Sequence, residues 1–72
     1  MDERTKIAIH QFVELVVSVQ EPGYPSCEIE IDVLIEETIR NLKQDGITIT
    51  KIQARAGVLD ELRNIEMGRI LD

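Results

Sequence analysis

The sequence predicts a small all-α domain, a bundle of three or four helices. Three observations carry this. Residues 3–19 and 27–44 each repeat apolar side chains at helical spacing, a proline-glycine turn separates them, and a capping pattern at Thr50 opens a further helical region. With 72 residues the chain forms one domain at most.

In residues 3–19, Ala8, Ile9, Phe12, Val13, Leu15, Val16 and Val19 fall within an arc of roughly 160° at helical pitch. Lys6, His10, Gln11, Glu14 and Ser18 occupy the other side, and Ile7 and Val17 fall off the pattern. Odd-numbered Ile7, Ile9, Val13, Leu15, Val17 and Val19 also fit a strand. That reading leaves Ala8, Phe12 and Val16 on a polar face, so the helix accounts for more positions. The segment carries more apolar surface than so short a chain easily buries, so a homodimer through residues 3–19 is expected, an isologous contact between copies of one surface.

Residues 21–26 form a turn, because Pro22 and Pro25 around Gly23 cannot continue a helix. Ser26 is then the expected helix cap. In residues 27–44, Cys27, Ile31, Leu34, Ile35, Thr38, Ile39 and Leu42 make one stripe, and Cys27 is expected to be a small buried hydrophobe. Ile29 and Val33 break the stripe, which leaves a strand over 28–33 as an alternative. Lys43 in the last turn and Gly46 beyond it mark a helix end.

Thr50 and Gln53 have the spacing of a capping box. Residues 50–71 then read as a helix-turn-helix-like pair. A short helix runs to about Ala56, Gly57 makes a tight turn, and a last helix capped by Asp60 packs through Leu62, Ile65, Ile70 and Leu71. Met67 is expected to fill a gap in the core.

The run Gly46-Ile47-Thr48-Ile49-Thr50-Lys51-Ile52-Gln53-Ala54-Arg55-Ala56-Gly57-Val58 resembles the first helix and turn of tetracycline-repressor-type regulators, and of small accessory proteins of mobile elements that share the signature, so a phage or mobile-element origin is expected. The resemblance covers about residues 35–66. It implies a DNA-binding or transcription-regulatory protein whose partner is double-stranded DNA. Arg63 and Asn64 would then read bases, while Lys51, Arg55 and Arg69 hold phosphates. The chain departs from the pattern at Gln53, where a small residue is usual, and at a turn about one residue short.

Charge points the other way. The net charge is −6. Residues 1–39 hold two basic and nine acidic side chains, −7 in sum, and residues 40–72 hold six basic and five acidic, +1. A DNA-binding domain is usually basic. The alternative is therefore a small acidic adaptor, inhibitor or antirepressor that binds a basic protein partner through Glu28, Glu30, Glu36, Glu37 and Tyr24. Only Phe12 and Tyr24 are aromatic, too few for the stacking that single-stranded nucleic acid needs.

No nucleophile motif, phosphate-binding glycine loop, calcium loop or cysteine-histidine metal cluster is visible, so neither catalysis nor a metal or other cofactor is expected. His10, the one histidine, is expected to be solvated or ion-paired. The lone Cys27 cannot form an internal disulfide, and no signal segment or membrane span is apparent, so a cytoplasmic setting is expected.

Overall fold

A computed structural model describes residues 2–71, with side chains described for residues 2–68. It is an all-α bundle of three helices in mutual contact: α1 (Glu3–Val19), α2 (Glu28–Gln44) and α3 (Lys51–Leu71). The core is aliphatic, built from Ile9, Val13 and Val17 of α1, Leu34, Ile35 and Leu42 of α2, Ile49 of the second loop, and Ala54 and Val58 of α3.

Asp2 caps α1, its carboxylate accepting from the Thr5 amide at 2.8 Å. The helix predicted over 3–19 is present, but its buried line is Thr5, Ile9, Val13 and Val17. Relative to the expected arc the helix is rotated by roughly 60°. Val17 is buried, whereas Leu15 and Val19 are 62% and 74% exposed. The physical reason is that α1 has neighbours on two sides, and His10 must face α3, as described below. Thr5 is buried one turn inside the cap.

The turn ends at the residue before Cys27, which is the N-cap of α2 without a side-chain capping bond and is exposed. Two expectations are corrected here. Cys27 is not in the core, and Ser26 lies one residue outside the cap. Ser26 instead donates from its amide and hydroxyl to the Glu30 carboxylate, at 2.9 and 2.6 Å. Segment 28–33 is helix, not strand. Ile29 and Val33, which broke the stripe, are turned outward at 76% and 47% exposure. Thr38, within the stripe, is buried because its hydroxyl donates to the Leu34 carbonyl at 2.7 Å.

α2 ends in a Schellman motif. Gly46 takes φ +81°, its amide donates to the Lys43 carbonyl at 3.0 Å, and the Ile47 amide donates to the Leu42 carbonyl at 2.9 Å. Ile47 then packs against the core. The capping box predicted at Thr50 is formed: the Thr50 amide donates to Gln53 Oε1 at 2.9 Å and the Gln53 amide donates to Thr50 Oγ1 at 3.1 Å.

The largest departure is at Gly57. No turn forms there, and α3 runs through it unbroken to Leu71. Gly57 is buried against α1, and a Cβ built on it would stand 2.9 Å from both Cδ1 and Cγ2 of Ile9. The residue is small because two helices approach there, not because the chain reverses. Asp60 consequently lies in mid-helix and caps nothing. Leu62 and Ile65 pack against the core as expected. Met67 is 53% exposed and does not fill it, and the side chains of Ile70 and Leu71 lie outside the described residues.

Candidate functional site

The continuous α3 rearranges the residues that the helix-turn-helix reading had placed toward DNA. Lys51 Nζ lies 3.7 Å from Glu36 Oε1. Arg55 reaches two acids of α2, with Nη2 3.7 Å from Glu28 and Nη1 3.6 Å from Asp32. These pairs are exposed and long, so each adds little stability. Their effect is on the field: two cations of α3 lie against three carboxylates of α2. Arg63 and Asn64 are exposed further along α3, with Arg63 at the rim of a groove described below. The side chain of Arg69 lies outside the described residues.

The acidic run is also divided. Glu28 and Glu36 face α3 through these pairs. Glu30 is held by Ser26, whose hydrogen bonds keep its carboxyl below the usual range. Tyr24 is half-buried in a groove of about 550 Å³ with Val17, Ile31, Leu59, Leu62 and Ile65. Burial, and then the charges of Glu37 and Glu30, raise its phenol above the ordinary value. Glu36, although it reaches Lys51, and the half-buried Glu37 also adjoin each other on α2. There they border a shallow shelf of about 400 Å³ with Ile29, Val33, Asp32 and Arg40. Ile29 and Val33 were missed as site residues, although the sequence carries a signal for them: two apolar residues four apart that no core stripe explains.

A second polar cluster joins α1 to α3. His10 Nδ1 lies 3.3 Å from Glu61 Oε2, and Nε2 lies 3.3 Å from Asp60 Oδ2. Nε2 is buried and makes no hydrogen bond, so Asp60 is near in distance but out of line. The carboxylates sit on different ring nitrogens and do not converge on one point. Among the described residues no group of three or more His, Cys, Asp or Glu side chains could hold a metal ion.

Glu61 is buried, and that burial raises its carboxyl above the ordinary 4.5. Glu14 and Asp60 push the same way and His10 opposes them. A raised acid favours folding most fully below its unfolded value, and this contribution is lost as pH rises through the folded value. The Glu61 contribution to stability should therefore decline as pH rises from about 4.5 through its raised folded value. Glu61→Gln should flatten that decline in urea melts taken across the range. An unchanged slope would remove Glu61 as its source. Asp2 and Glu30, both lowered by hydrogen bonds, act in the opposite sense at lower pH.

The class this architecture defines is a three-helix bundle. No family model, curated protein or solved structure matches the chain. Among the described residues no helix is long and apolar enough to cross a membrane.

Proposed function

We propose that the chain is a small acidic protein-interaction module that binds a positively charged protein partner through the outer face of α2. One observation carries this reading. Ile29 and Val33 stand exposed one helical turn apart, bordered by Glu37 and Arg40 and by Asp32 and Glu36, which also reach Arg55 and Lys51. An apolar pair inside a polar rim is the composition of a small binding surface. The net charge of −6 would speed encounter with a basic partner. A duplex-binding role is supported less, because Lys51 and Arg55 lie against α2 carboxylates and the turn that would present a separate recognition helix is replaced by continuous helix.

The test has two arms. Affinity capture compares the wild-type chain with Ile29→Asp/Val33→Asp, and fluorescence anisotropy measures binding to random duplex DNA. We expect a partner held by the wild type, lost from the double variant and weakened by salt, with no duplex binding at moderate salt. Identical captured proteins from both chains, or duplex binding that survives moderate salt, would sink the proposal.

A further inference from the structure

We propose that His10, Asp60 and Glu61 form a proton-operated latch between α1 and α3, tight while the imidazole is charged and loosened when it is neutral. The latch is separate from the α2 surface and does not rest on it. It stands beside the closest approach of the two helices, where Gly57 lets α3 close on Ile9. Glu61 is one turn along α3 from Gly57, and His10 follows Ile9 on α1. Glu61 is buried and the His10 side chain is 23% exposed, so much of the contact is shielded from water.

The hydrogen-bonding capacity of the ring favours its charged form here. A carboxylate only accepts, a neutral imidazole has one donor and one lone pair, and an imidazolium has two donors. Each ring nitrogen has a carboxylate oxygen at 3.3 Å, Glu61 at Nδ1 and Asp60 at Nε2. A neutral ring must therefore turn a lone pair toward one of them. Nε2 is also buried without a hydrogen bond. What it gains from Asp60 comes from charge and not from alignment, and needs a positive ring. Once the ring is neutral, Glu61 is a buried carboxylate with no cation against it.

The surrounding charges do not take over this role. Lys6 and Glu14 lie one turn either side of His10 on α1, and both are exposed. On α3, Arg63 follows Asp60 by three residues but lines the groove with Tyr24. The charges that act on Glu61 are those of His10 and Glu14 of α1 and Asp60 of α3, and α2 supplies none of them. His10 is the cation among them, and histidine gains or loses its charge between about pH 5 and 8. A ring that folding favours in its charged form adds stability at low pH, and this is lost as pH rises.

Two measurements on the full chain test this. Urea unfolding of wild type, His10→Gln, Glu61→Gln and the double variant gives the coupling between the two side chains. The coupling should favour the folded state by roughly fivefold at about pH 6 and by less than about twofold at about pH 8.5, either side of the ordinary histidine value. Glu61→Gln alone should destabilise at the lower pH and stabilise at the higher. A coupling that is equal at both, or absent at the lower, overturns the latch. Nitrogen-15 spectra of the ring, the chain's one histidine, follow its protonation directly. The ring should bind its proton roughly threefold more weakly in Asp60→Asn than in the wild type. Asp60 is 47% exposed, so this variant folds even where a change at Glu61 does not. Equal proton affinity in the two chains overturns the proposal.

Discussion

Gly57→Val should destabilise the protein by about 2–3 kcal/mol, because the overpacked helix contact outweighs the small gain in helix propensity over glycine. In an isolated helix the same position would favour almost any residue over glycine, by up to about 1 kcal/mol for alanine. The sign reverses because a Cβ at Gly57 meets Ile9 at 2.9 Å, and one of the two atoms touched, Cγ2, moves only with χ1, which is stiff for a β-branched residue in a helix. Ile9 is itself fully buried. Gly57→Ala should accordingly cost about 1 kcal/mol in the wild type. On an Ile9→Ala background, already weakened by about 2–5 kcal/mol, the same change should instead stabilise by up to about 1 kcal/mol. Urea unfolding of the four chains measures this coupling. Additive effects would show that the two helices do not meet through these residues.

Leu34→Ala should cost about 3 kcal/mol and lower the melting temperature by about 15 °C. Leu34 is 0% exposed at the centre of the core, and the cavity it leaves would be bounded by stiff, branched side chains that close over it poorly. A domain of this length holds only about 4–11 kcal/mol in total, so the loss is a large fraction of it. Val33→Ala, one residue away and 47% exposed, is the control and should change stability by less than about 0.5 kcal/mol. Thermal melts followed by far-UV circular dichroism compare the two. Equal effects would mean that α2 is rotated relative to the structure.

Both predictions depend on what local sequence discloses and what it hides. The all-α class, α1, α2, the Gly46 terminus and the Thr50–Gln53 capping box were legible, because each rests on residues within a few positions of one another. The rotation of α1 was not. Apolar residues cover more than half of that helix, so several arcs satisfy periodicity, and the choice is made by neighbours that sequence spacing does not name. Gly57 was ambiguous for the same reason. A glycine suits a turn or a close approach, and the atom that decides belongs to Ile9 at the other end of the chain. Asp60 followed that error: read as a helix cap, it lies in mid-helix beside Glu61, and both stand near His10.

For the candidate site, the sequence located the acidic run but not its division. Glu28 and Glu36 face Arg55 and Lys51, which depends on how α3 lies along α2, while Glu30 is held locally by Ser26. Ile29 and Val33 were visible only as exceptions to a stripe, and their exposure gives the exception its meaning.

The six residues between α2 and α3 have a consequence for how the chain finds its fold. Both ends of that loop are closed by short-range hydrogen bonds, the Schellman pair on one side and the capping box on the other. Joining α2 to α3 therefore requires closure of a short segment whose ends are already directed, at a low entropic cost. Docking α1 requires Ile9 to find Gly57 across most of the chain. The α2–α3 hairpin is thus the natural first encounter in folding, with α1 as the element that completes it.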